Sequence, residues 1–87
     1  MIRFTLYSRS WCHLCEDMQA ALRALEQPGQ AFDVEVIDVD ADPALEARFN
    51  ELVPVLYGDL AEPELCHYFL DEAGVRAYIQ RQTQLAA

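Results

Sequence analysis

Ile2-Arg3-Phe4-Thr5-Leu6-Tyr7-Ser8-Arg9-Ser10-Trp11-Cys12-His13-Leu14-Cys15 is the stretch on which the reading of this chain turns. Residues 2–7 alternate, with Ile2, Phe4 and Leu6 on one side and Arg3, Thr5 and Tyr7 on the other, the period of a strand. Residues 8–11 read as a loop. From Cys12 the period changes: Leu14, Met18, Leu22 and Leu25 recur at helical spacing until Pro28-Gly29 supplies a stop, which predicts a helix of roughly four turns. The Cys-x-x-Cys pair therefore falls where a strand hands over to a helix, with Cys12 at the helix N-terminus and Cys15 one turn inside. Unpaired N–H groups and the positive end of the helix dipole favour a thiolate at Cys12, although Glu16 and Asp17 oppose it. Residues three apart share a helix face, so Cys15 is placed to resolve a mixed disulfide formed at Cys12. Zinc sites use the same spacing, but a pair set between a strand and a helix in a βαβ pattern points to redox work.

Working outward, residues 31–39 return to strand, with Phe32, Val34 and Val36 alternating against Asp33 and Glu35. Asp42-Pro43 has the form of an N-cap followed by proline at the first helical position, and Leu45, Phe49 and Leu52 line the short helix that follows. Residues 53–57 are apolar and β-prone, Gly58-Asp59 marks a turn, and residues 64–68 pair back as a hairpin strand after Pro63. Asp71 caps a last helix carrying Val75, Tyr78 and Ile79, with Leu70 and Val75 as a hydrophobic staple. The tail, residues 80–87, is expected to fray. The order β-α-β-α-β-β-α predicts one α/β domain over residues 1–87. Two parallel strands joined by a right-handed crossover, and a later antiparallel hairpin, make a four-stranded mixed sheet covered by helices on both faces.

The chain has 87 residues and 53% hydrophobic composition, and its six basic residues, all arginine, stand against 15 acidic ones for a net charge of −9. Such a short chain buries only about 60% of the surface its unfolded form exposes, which leaves one modest core. The acidic balance makes a nucleic-acid partner unfavourable. Charge is uneven: the first 15 residues carry +2 and the remaining 72 carry −11, so the N-terminal segment is the one region suited to an anion. No apolar run approaches the ~18 residues of a membrane span, and Arg3 and Arg9 interrupt a signal-peptide core. Three cysteines do not build a secreted disulfide framework, so a cytoplasmic monomer with no membrane partner is expected.

The element order, Cys12-His13-Leu14-Cys15 at the start of the first helix, and Val53-Pro54 at the third strand together resemble the glutaredoxins, within the thioredoxin-like fold. The resemblance covers nearly the whole chain and is greatest to the short bacterial glutaredoxin-like proteins, through Leu6-Tyr7-Ser8, Cys12-His13-Leu14-Cys15-Glu16, Val53-Pro54-Val55-Leu56 and residues 69–78. It implies a thiol-disulfide oxidoreductase in which Cys12 is the nucleophile, Cys15 the resolving thiol and Pro54 a cis-proline facing them. It also implies no resident cofactor, with glutathione as a candidate co-substrate and protein or glutathione mixed disulfides as partners. Arg9 takes the place of the basic residue that meets a glutathione carboxylate, and Val53 that of the residue whose backbone pairs with the tripeptide. Elsewhere the chain departs from the pattern: Leu14 replaces a tyrosine, Glu51 a basic or amide side chain, Leu52 a threonine, and Cys66-His67 a glycine pair. Glu51 repels the carboxylate that the family attracts.

Other residues carry two readings each. Trp11 either shields the disulfide and docks a partner or lies partly buried over the first helix. His13 either steadies the Cys12 thiolate or is a solvated loop residue. Cys12, Cys15, Cys66 and His67 have the composition of a zinc or iron–sulfur site, but adjacent strand residues point to opposite faces, which favours Cys66 as a small buried hydrophobe. Asp38, Asp40 and Asp42 have the spacing of a calcium loop without its glycine or terminal glutamate, and read as a solvated connection. Beside the oxidoreductase stand two alternatives: a non-enzymatic binding module using Trp11, Pro54 and the acidic surface, and a metal or cluster carrier.

Overall fold

Seven residues, Ile2–Ser8, form an inner strand, β1, to which the other three strands are added in the computed structural model, which describes residues 1–86. Strand β2 (Phe32–Asp38) runs parallel to it, with Ile2 opposite Phe32 and Ser8 opposite Asp38. Strand β3 (Val55–Tyr57) is antiparallel on the other side, pairing Tyr7 with Val55, and strand β4 (Cys66–His67) closes the order β2-β1-β3-β4. Three helices, α1 (His13–Arg23), α2 (Pro43–Phe49) and α3 (Glu72–Ala86), complete the expected α/β topology.

The strand alternation produces two cores. Phe4, Leu6, Phe32 and Leu56 project to one face and pack with Met18 and Leu22 of α1 and Val75 and Tyr78 of α3. Tyr7, Val55 and Tyr57 project to the other face and meet Val39 and Phe49 of α2. Both faces are thus covered, and β1 is buried from Phe4 to Tyr7. Gly58 is required where the chain leaves β3: a Cβ there would lie 2.5 Å from the ring of Tyr78, whose hydroxyl donates to the Arg3 carbonyl at 3.0 Å.

Several boundaries differ from the periodicity, each for a local reason. Helix α1 has 11 residues rather than four turns, because Leu25 and Glu26 donate to the carbonyls of Leu22 and Arg23 in tightened closing turns. Leu25 still packs on the core from outside the helix. Glu26 then ties the connection, its carboxylate accepting from the Phe32 N–H at 2.7 Å and from Arg23 at 2.9 Å. Strand β2 stops at Asp38, whose side chain accepts from the Asp40 N–H and caps a 3-10 turn over Val39–Ala41.

Strand β3 starts after Pro54, which has no N–H to give the ladder. Strand β4 is two residues rather than five because Tyr68 adopts a left-handed φ of 64°, although its N–H still reaches the Pro54 carbonyl at 3.0 Å. Asp42 and Asp71 cap α2 and α3 as expected, accepting from the N–H groups of Ala44 and Gly74. Helix α3 does not fray at Gln80. It continues to Ala86, helped by Thr83, which donates to Ile79 and accepts from Gln30 of the α1–β2 connection. Ala87 lies outside the described residues.

Candidate active site

Cys12 is the N-cap of α1, with extended backbone angles (φ −110°, ψ 105°) that stop the helix from starting earlier. Its carbonyl accepts the Glu16 N–H at 3.1 Å, and its Sγ accepts the Cys15 N–H, also at 3.1 Å. A sulfur that receives a helix-end N–H is held where negative charge is favoured. Cys12 and Cys15 are joined as a disulfide with Cα atoms 5.2 Å apart. The two sulfurs differ in surroundings: Cys12 is half-buried, whereas Cys15 is 3% exposed on the buried side of α1 with Met18 and Leu22. A substrate disulfide or an attacking thiolate can reach the first and not the second.

The expected site residues fall around this pair in different ways. Trp11 has a left-handed φ of 60° and is 99% exposed, so the reading that buried it over the first helix is incorrect. A left-handed conformation costs about 1–2 kcal/mol for a residue with a Cβ, and here it turns the chain into the Cys12 cap. His13 is the exposed first residue of α1, and Leu14 is half-buried behind it. The Val53–Pro54 peptide is cis, with Pro54 buried and Val53 half-buried. Because Val55 pairs with Tyr7, Pro54 stands level with Ser8, at the end of the sheet from which the dithiol loop departs.

Arg9 is placed differently from an open anion ligand. Its Nε and Nη2 donate to the two carboxylate oxygens of Asp40, both at 3.1 Å. Its Nη1 donates to the Asn50 carbonyl at 3.1 Å, and Nη2 also donates to Asn50 Oδ1 at 2.8 Å. Asp40 and Asn50 were not singled out as site residues in the sequence. Asp40 sits in the acidic run and Asn50 at the end of α2, 31 and 41 residues from Arg9, and no periodicity connects positions so far apart. Glu51, next to Asn50, is exposed.

Cys66 and His67 are not brought together. Cys66 packs against the α1–α3 core, and burial pushes its thiol above the ordinary cysteine range. His67 faces outward, with Nδ1 2.8 Å from Glu64 Oε2 and its ring edge-on to Tyr68. Among the described residues, no group of three or more His, Cys, Asp or Glu side chains is placed to hold a metal. No helix is long and apolar enough to cross a membrane. A groove of about 1020 Å³, lined by Met1, Ile2, Gly29, Gln30, Thr83 and Leu85 among others, lies near the start of β1 and shares no residue with the dithiol loop.

A mixed sheet with helices on both faces, a cysteine pair capping its first helix and a cis-proline at the same end of the sheet define the thioredoxin-like class of dithiol proteins. Comparison with known proteins narrows the class. The Glutaredoxin-like domain (DUF836) profile matches residues 3–80, and the chain belongs to that family. Two solved structures are similar over most of their length. A Nitrosomonas europaea protein determined by solution NMR is 45% identical, with 87% of this chain and 88% of that one covered at a TM-score of 0.74. A structural-genomics target from X. campestris, determined by X-ray diffraction, is 31% identical over 90% of this chain and 96% of that one, at a TM-score of 0.66. No curated protein matches. The family and the cysteine pair together fit an activity of the thiol-oxidoreductase kind.

Proposed function

We propose that the protein is a thiol-disulfide oxidoreductase acting on protein or glutathione mixed disulfides, with Cys12 as nucleophile and Cys15 as resolving thiol. The observation that carries this reading is the Cys15 N–H aimed at Cys12 Sγ in a helix cap, with Cys15 itself buried. In the reduced protein the Cys12 thiolate attacks one sulfur of the substrate, forming a mixed disulfide as the substrate S–S bond breaks and a thiolate departs. Cys15, losing its proton, then attacks Cys12 Sγ, which closes the protein disulfide and releases the second substrate sulfur. Two electrons pass to the substrate, and a thiol or dithiol reductant returns them. The sulfur pair carries the electrons, so the reaction calls for no resident cofactor. The reading suits a monomer in the reducing cytoplasm, with Pro54 and Val53 as the ledge beside the entering disulfide and His13 and Trp11 at its rim.

The test is alkylation of the fully reduced protein with limiting iodoacetamide, followed by peptide mapping. Cys12 should be labelled first, and Cys15→Ser should accumulate a mixed disulfide at Cys12. Preferential labelling of Cys66 overturns the assignment. Full exposure of Trp11 favours a second reading, a binding module that needs no chemistry. That reading predicts that Cys12→Ser keeps the cellular role, whereas the oxidoreductase reading predicts its loss.

A further inference from the structure

Arg9 lies three residues before Cys12, with Cα atoms at most about 11 Å apart, so its side chain leaves the same loop that carries the sulfur. That charge is not open to an incoming anion. Asp40 holds Nε and Nη2 in a two-pronged pair, and Asn50 takes Nη1 and a second bond from Nη2, with the Arg9 side chain 30% exposed and that of Asp40 45%. A guanidinium bound in this way keeps its geometry and presents a neutralised charge. What remains around the loop is acidic: Glu16 and Asp17 follow the pair on α1, Glu51 is exposed beside Asn50, and the whole chain carries −9.

We propose that Asp40 sets the charge preference of the dithiol. By neutralising Arg9 at the 3-10 turn before α2, Asp40 makes the Cys12 thiolate exchange faster with cationic and neutral disulfides than with anionic ones, glutathione disulfide among them. This inference rests on the exchange reaction proposed above. It narrows the substrate class to protein disulfides flanked by basic residues and makes Asp40 a specificity-determining residue that touches neither sulfur.

Three symmetric disulfides test it against the reduced protein: cystamine, a dication; bis(2-hydroxyethyl) disulfide, which is neutral; and 3,3′-dithiodipropionate, a dianion. In each, Cys12 displaces one thiolate and Cys15 the second, so two electrons leave the protein and two thiols form. Second-order rate constants are divided by those of dithiothreitol with the same reagents, which removes intrinsic reactivity. At low salt the corrected cystamine to dithiodipropionate ratio should be about 10 for the native chain. It should fall to about 2–3 in Asp40→Asn, which frees the Arg9 charge, and rise to about 30 in Arg9→Gln, which leaves Asp40 uncompensated. At about 1 M salt the ratios should converge toward unity.

Opposite movement of the two variants is the discriminating result, because a contact that only braces the loop would shift both in the same direction. A native ratio near unity, or variants that move together, overturns the inference while exchange itself continues. Failure to react even with the neutral reagent brings down the oxidoreductase reading, and this inference with it. Where Asp40→Asn fails to fold, Asp40→Ser makes the same change of charge and carries the same expectation, and a native ratio near unity overturns the inference by itself.

Discussion

The two faces of the sheet are built differently. On the face that carries α1 and α3, Phe4, Leu6, Met18, Leu22, Leu56 and Val75 are each no more than 2% exposed and form a sealed apolar core. On the α2 face the core is smaller and amphipathic. Tyr7 stacks on Phe49 at 4.4 Å, Arg48 lies over the Phe49 ring at 4.7 Å, and an Arg48 Nη2 donates to the Tyr57 hydroxyl at 3.1 Å. Cys15 is buried with the first face, whereas Arg9, Asp40 and Asn50 gather at the second. Placement of the sulfurs thus depends on dense apolar packing, and the charge beside them on polar contacts at a helix end. The chemistry and its charge selection are separable by mutation.

The largest effect should come from breaking the sealed face. Leu22→Ala removes a fully buried side chain from α1, and urea unfolding should show a loss of about 2–5 kcal/mol. A loss below about 1 kcal/mol would mean that this face yields as easily as an exposed one. On the α2 face, Phe49→Leu removes a stacked pair and a cation–π contact while keeping part of the apolar volume. We expect a loss of about 1–2 kcal/mol. The alkylation rate of Cys12 should stay within about twofold of native, since the α1 cap that favours its thiolate is on the other face. A large change in that rate would show that the faces are coupled.

Smaller still is Asp42→Ala, which removes the cap of the seven-residue α2 and should cost about 1 kcal/mol by thermal melting. The smallest effect is confined to acid. The Phe32 N–H holds the Glu26 carboxyl below its usual range, so the stabilisation from Glu26 is present above its unfolded value and lost as pH falls through its folded one. Glu26→Gln should therefore flatten the acid limb of the stability profile and leave its shape above pH ~6 unchanged. A steeper acid limb would show that this carboxylate is not favoured in the folded chain.

What the sequence made legible was local. Met18 and Leu22 mark the buried stripe of α1, with Leu14 half-buried at its start, and the strand-to-helix change at Cys12 places the sulfurs before any coordinates are known. The same logic overran at Leu25, which keeps the helical spacing while sitting in a closing turn, because periodicity records burial and not hydrogen bonding. It overran again at Tyr68, where a left-handed residue with no glycine to announce it cuts β4 short. The Arg9 contacts were illegible for another reason. They join three segments that meet only in the folded chain, so nothing in the sequence around Arg9 shows that it is held by partners 31 and 41 residues away.

Trp11 has a practical consequence for spectroscopy. It is the single tryptophan of the chain and its indole already stands in water when the protein is folded. Its emission maximum will therefore move little on denaturation, and unfolding is better followed by circular dichroism. The indole also sits one residue from a sulfur of the disulfide, and disulfides quench indole fluorescence at short range. Emission intensity on addition of a reductant is thus an optical readout of Cys12 that needs no label.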